Sequence, residues 1–179
     1  ELTTGDPLSE AEFVLDECSD QPATPLFPDK NVWLAAFVSM FLHGGLGHLL
    51  SNMWFLWIFG NNVEEAYGIT GYILLYLVAG FAATGAFVLA NPEATVPMIG
   101  ASVAIAGVLG AYLVLFPTHR VLTLFLFFFV QIPAGAYLAL WFFLQFAYRE
   151  PGVAWEAHVG GFIVGVLLTL PLRALLLAR

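Results

Sequence analysis

Charge is what this sequence has least of. Asp, Glu, Lys and Arg make up 10% of its 179 residues, against about 25% in a soluble globular domain. A soluble fold is therefore excluded, and a mean hydropathy of +0.87 points the same way. Basic residues are scarcer still: Lys30, Arg120, Arg149, Arg173 and Arg179 are all there are. Five cations do not build a phosphate-binding surface, so nucleic acid is excluded as a partner. Cysteine occurs once, as Cys18 in a polar stretch, which excludes an internal disulfide and a cysteine metal cluster. The chain opens in polar residues with neither Met nor a signal sequence, and a preceding N-terminal piece is expected.

What is present is apolar sequence in long runs, 60% of all residues. Histidine aside, no charge falls in 31–63, 66–92, 94–119 or 121–148, and only Arg173 interrupts 157–178. A membrane-crossing helix needs about 20 apolar residues, so the expectation is an all-α, polytopic helical membrane protein. Residues 1–30 hold eight of the thirteen acids and much of the net charge of −8. They read as an acidic extracytoplasmic segment, with a short helix near Ser9 to Cys18 before Pro22, Pro25 and Pro28. Residues 31–45 read as a loop lying in the membrane interface, and 46–179 as the transmembrane core.

Within that core the first span is expected over Leu46 to Val63 and the second over Ile69 to Ala90. A proline-marked loop then leads to a third, Ser102 to Phe116, stopped by Pro117. Val121–Val130 reads as a buried or half-inserted connector, Pro133–Tyr148 as the fourth span, and Trp155 opens the last. Crossing by crossing, the loop at His43, the loop before Ser102 and the turn before His158 fall on one side. Arg120, Arg173 and Arg179 fall on the other, with Glu64 and Glu65. An excess of arginine marks the cytoplasmic side, which leaves the acidic segment outside.

Two stretches carry chemistry. From Ser102 the i+4 and i+8 positions are Ala106 and Gly110, a nearly bare helical face. On the last span His158, Gly161 and Gly165 share a face at i, i+3 and i+7. Small-residue faces let membrane helices approach closely, and contact here sets a serine hydroxyl beside an imidazole, the arrangement that makes serine a nucleophile. His48 and Asn52, four apart, offer hydrogen-bond donors to an oxyanion, as does the Ser102 N–H at a helix start. Tyr112 or Trp155 is a candidate to hold the imidazole. A three-histidine metal site from His43, His48 and His158 is the weaker alternative, and no cofactor or metal is assigned. His119 is expected among solvated loop residues.

Four ordered motifs resemble the rhomboid family of intramembrane serine proteases: His43-Gly44-Gly45-Leu46-Gly47-His48-Leu49-Leu50-Ser51-Asn52-Met53, Phe59-Gly60-Asn61-Asn62-Val63-Glu64, Gly100-Ala101-Ser102 and Ala157-His158-Val159-Gly160-Gly161. The resemblance covers about Trp33 to Leu170. It implies a six-helix core, of which about five spans are present, with a Ser–His dyad below the membrane surface. It assigns Ser102 as nucleophile, His158 as general base, Asn52 and His48 to the oxyanion, and His43 and Gly100 to support of the site. Single-pass transmembrane proteins are the implied substrates and the lipid bilayer the implied surroundings. The expected location is a bacterial plasma membrane, with the site facing outward; no oligomeric state is implied. This sequence departs from the family pattern at Val103, where Gly is common, and at Leu34, where Arg often follows Trp. The family's first core helix is expected ahead of the acidic segment. Val103 either crowds the oxyanion pocket or points away, and Val103→Gly is expected to leave the fold intact. A catalytically silent binder of transmembrane helices and a small-solute or metal transporter are the alternative functions.

Overall fold

The computed structural model describes residues 31–92, 98–147 and 153–178. The acidic segment, Cys18, most of the loop before Ser102 and the Arg149-Glu150-Pro151-Gly152 turn lie outside the described residues.

The first described element, α1 (Val32–Ser39), has eight residues and buries none of them. It rises about 12 Å and so cannot cross a bilayer. Its Ser39 carbonyl accepts the Gly100 N–H at 2.9 Å, tying this short helix, which stands where a loop was expected, to the chain just before Ser102. Met40 follows, fully buried, lying where a methyl on Gly80 would sit.

Helix α2 (Leu46–Phe55) runs through a π-helical turn, Leu56–Gly60, into α3 (Asn61–Ala90). The backbone leaves the helical region at Gly68, with φ 71° and ψ 161°. That left-handed φ suits a residue without Cβ. The chain bends back there, so that a methyl added to Gly60 would lie 2.7 Å from the Tyr72 hydroxyl. Leu46–Ala90 is thus two expected spans joined at a glycine, and the first, expected to end at Val63, instead continues as helix to Tyr67. Each leg has about 22 residues and a rise of about 33 Å, enough to cross the hydrocarbon core.

Helix α4 (Ser102–Leu115) is the centre of the bundle, buried without interruption from Val103 to Tyr112. It ends where Pro117 denies Phe116 a helical successor. The connector after it, read from the sequence as buried or half-inserted, is an antiparallel hairpin of β1 (Arg120–Phe125) and β2 (Phe128–Pro133), in register from Arg120↔Pro133 to Phe125↔Phe128, with Val121 buried against the bundle. Leu122, Leu124, Phe128 and Phe129 are exposed, and Phe127 at the tip is 91% exposed. A short unbroken apolar run has no periodicity that separates strand from helix.

Helix α5 (Ala134–Ala147) begins directly after Pro133, with its first N–H groups bonded to the carbonyls of His119 and Pro117. Helix α6 (Trp155–Thr169) continues through a 3-10 turn at Leu170–Leu172, where Pro171 stands, into α7 (Arg173–Leu177). Trp155–Leu177 is, with Leu46–Ala90, apolar and long enough to cross a membrane, while Ser102–Leu115 and Ala134–Ala147 are apolar but shorter.

Three helices share one seam. A methyl on Gly161 would strike the Val103 carbonyl, one on Gly165 the Gly107 carbonyl, and one on Gly110 the Phe162 carbonyl. The small faces foreseen on α4 and α6 therefore meet backbone to backbone, with Ala106 facing Gly161. Gly107, on the neighbouring stripe, joins them and also receives Ala79 of α3. At one end of the bundle Ala66, Leu115 and Leu176 pack together, and Arg173 Nε donates to the Val114 carbonyl at 2.9 Å. Thr169, fully buried, bonds the Tyr67 hydroxyl and the Gly165 carbonyl nearby. Ser102 and His158 begin their helices at the opposite end.

Candidate active site

The close seam delivers Ser102 and His158 to each other. Both stand in the first turn of their helices, and Ser102 Oγ lies 2.9 Å from His158 Nε2. The other ring nitrogen, Nδ1, lies 2.9 Å from the side-chain oxygen of Gln145 on α5. Gln145 in turn donates from its Nε2 to the Trp141 carbonyl at 3.1 Å, and the Trp141 ring tilts against the imidazole at 6.0 Å. A hydroxyl bonded to an imidazole that is anchored on its far side is the geometry that a serine nucleophile and its base require.

Gln145 is absent from the sequence expectations. The signal was present: it is the lone amide in α5, and a polar side chain in an apolar helix is a functional candidate by default. Neither expected holder of the imidazole supplies the bond. The Tyr112 hydroxyl points to His119 Nδ1 at 3.4 Å, near the other end of α4, and the Trp155 ring packs on Phe146. His119 is exposed as expected, though stacked on Phe116 with ring centroids 4.8 Å apart.

The dyad opens into a cavity of about 730 Å³. Its walls are His48, Asn52 and Phe55 of α2, Ile105 and Leu109 of α4, and Trp141 and Gln145 of α5. Asn52 is buried and donates one amide hydrogen back to the His48 carbonyl at 2.9 Å; a primary amide keeps a second hydrogen free. His48 Nδ1 accepts the Gly44 N–H at 3.3 Å, which leaves the ring proton of the neutral imidazole on Nε2. That nitrogen faces Gly100. A methyl on Gly100 would sit 2.9 Å from His48 Nε2 and 3.5 Å from Ser102 Oγ, and Gly100 has φ 127°. Glycine is required there for space and for backbone, and its missing methyl leaves a gap between a donor and the serine oxygen.

His43 stands behind this wall, its ring edge-on to His48 at 5.2 Å and its buried Nε2 without a hydrogen-bond partner among the described residues. His158, by contrast, has both nitrogens engaged by Gln145 and Ser102. Val103 is 2% exposed and packs with Ala83 and Ala157, and it also lines the cavity beside Ser102.

The family model for the rhomboid domain matches residues 30–175. The chain belongs to the rhomboid family. It is 36% identical over 141 residues to rhomboid protein 1, mitochondrial, of Saccharomyces cerevisiae, covering 72% of this chain and 39% of that protein. It is 32% identical over 136 residues to the rhomboid protease GluP of Bacillus subtilis, covering 76% and 25%. It is 31% identical over 170 residues to RHOMBOID-like protein 1 of Arabidopsis thaliana, covering 90% and 40%. The chain spans less than half the length of each of these relatives. No solved structure matches it significantly. This rhomboid is a polytopic helical membrane protein, as its composition implied, with the β1–β2 hairpin as an addition to the helical bundle.

Proposed function

We propose that this rhomboid is a serine endopeptidase that cleaves single-pass transmembrane proteins near the extracytoplasmic boundary of a bacterial plasma membrane. The observation that carries the reading is the 2.9 Å bond between Ser102 Oγ and His158 Nε2. Kinship with a relative named a protease supports the reaction class. His158 Nε2 takes the serine proton while Oγ attacks the scissile carbonyl. The imidazolium then protonates the departing amine, and water activated by the same nitrogen releases the acyl group.

The negative charge that develops on the carbonyl oxygen needs donors already in place. His48 Nε2–H beside the Gly100 gap, the free amide hydrogen of Asn52 and the Ser102 N–H at the helix start are the set proposed here. Gly100 supports them by leaving the gap, and His43 by backing the His48 ring. The short α4 sets the depth of the reaction. Its fourteen residues rise about 21 Å, against a hydrocarbon core of about 30 Å. With Leu115 at the arginine end, Ser102 lies roughly 9 Å below the opposite surface. Substrate helices unwind locally to present a carbonyl at that depth.

Fluorophosphonate labelling tests the reading. The wild type is expected to label in membranes, with labelling abolished in Ser102→Ala and His158→Ala. An unlabelled, folded wild type overturns the protease reading and leaves a binder of transmembrane helices.

A further inference from the structure

We propose that Gln145 is a positioning residue of this site, its side-chain oxygen holding His158 in the single tautomer that can accept the Ser102 proton. The inference rests on the reading of Ser102 and His158 as nucleophile and base, and carries it one residue outward.

The assignment follows from a chain of hydrogen bonds in which each link leaves its neighbour one choice. The Trp141 carbonyl can only accept, so the Gln145 group facing it at 3.1 Å is the NH₂. The Gln145 oxygen therefore faces His158 Nδ1 at 2.9 Å. An amide oxygen can only accept, so Nδ1 carries the ring proton. In a neutral imidazole that leaves Nε2 with its lone pair, directed at the Ser102 hydroxyl 2.9 Å away. The serine hydroxyl is then the donor, which is the reactant state for proton transfer. A backbone carbonyl on a helix, which does not turn over, fixes the protonation pattern two residues away in the chain of bonds.

A neutral amide suits this place better than a carboxylate. A charged partner inside an apolar bundle carries a desolvation penalty that the amide avoids, while orientation and tautomer need only a fixed acceptor. Gln145 acts through His158 and touches no reacting atom.

The test is a three-way comparison of wild type, Gln145→Leu and Gln145→Glu in proteoliposomes. It reads kcat and KM on a transmembrane substrate, fluorophosphonate labelling rate against pH, and thermal stability. Gln145→Leu is expected to lower kcat and labelling rate by about tenfold or more while KM stays within about twofold. Gln145→Glu keeps an acceptor for Nδ1 while giving up the bond to the Trp141 carbonyl, and is expected to be more active than Gln145→Leu. It also moves the acid limb of the labelling profile to higher pH, because a carboxylate at Nδ1 favours the imidazolium. Among the described residues, the ionisable groups facing the same cavity besides His158 are His48 on α2 and Glu156 on α6, while α4 and α5 line it with none. Both are common to all three proteins, so a difference in profile reports position 145. Nitrogen NMR of the His158 ring supplies a second readout independent of turnover: Nδ1–H alone in wild type, a mixture in Gln145→Leu.

A labelled wild type with an equally active Gln145→Leu overturns the positioning role and leaves the dyad standing. So does a loss in Gln145→Leu that only tracks thermal stability, or an acid limb unmoved in Gln145→Glu. A wild type that never labels overturns the dyad itself, and this role with it.

Discussion

The two sides of α4 are built on opposite principles. Toward α3 and α6 the helix presents Gly107 to the Ala79 methyl and Gly110 to the Phe162 carbonyl, with no room for a further methyl, and Ala106 to Gly161. Toward α2 and α5 it presents Ser102, Ile105 and Leu109 to a cavity of about 730 Å³. The closed side holds two helix starts at a distance set by main chain rather than by side chains that can swing. The open side leaves a cavity in which the proposed reaction has room for a polypeptide and for water. A hydrolase needs both, since a loose dyad reacts slowly and a dyad with no space beside it meets no substrate.

Adding or removing a single small group on each side tests that contrast. Gly165→Ala is expected to have the largest effect, because its methyl collides with the Gly107 main chain, which cannot turn aside. We expect a loss of about 3 kcal/mol or more, seen as a lower thermal midpoint in detergent, with labelling lost as α4 and α6 part. Retention of both would break the comparison. Val103→Gly comes next. The side chain is packed with Ala83 and Ala157, so its removal leaves a void and a glycine in a helix. About 2–3 kcal/mol of stability is expected to go, with the fold retained and the folded protein still labelling.

Gly100→Ala acts at the border between the two sides. With φ at 127° the variant stores about 1–3 kcal/mol of strain and pushes the His48 ring away from the serine. Labelling rate is expected to fall more than thermal stability does, and the reverse order would count against His48 as a donor. Gly47→Ala is the smallest and opposite in sign. At Gly47, exposed on α2, a methyl meets nothing within 4 Å, so replacing a helical glycine there is expected to raise stability by about 0.5–1 kcal/mol. A calorimetric scan of Gly47→Ala beside Gly165→Ala places the same methyl in an exposed and a packed setting.

How far the sequence reads depends on the range of the physics. Charge-free runs, the stop at Pro117, the small faces through Ser102 and His158, and the His48–Asn52 spacing are local patterns. Each follows from helix period and from the cost of polar groups in lipid, and each was legible residue by residue. The hairpin at Arg120–Pro133 was not, because an unbroken run of Leu, Phe and Val suits strand and helix alike. The continuous helix from Leu46 past Asn61 was hidden for a related reason: Asn and Glu read as a helix end, yet the turn came at Gly68, where only a backbone φ reveals it.

The sequence by itself determined that this is a membrane bundle and that one hydroxyl and one imidazole sit at the heads of smooth helices. Tertiary structure alone decided that Gly107 rather than Gly110 receives Gly165, that Val103 packs with Ala83 and Ala157, and that Gln145 rather than Tyr112 or Trp155 anchors the imidazole. Composition and period describe what a helix can present. Which partner stands opposite is set by how three helices settle on a shared seam, and that depends on rotations and offsets that no single stretch encodes.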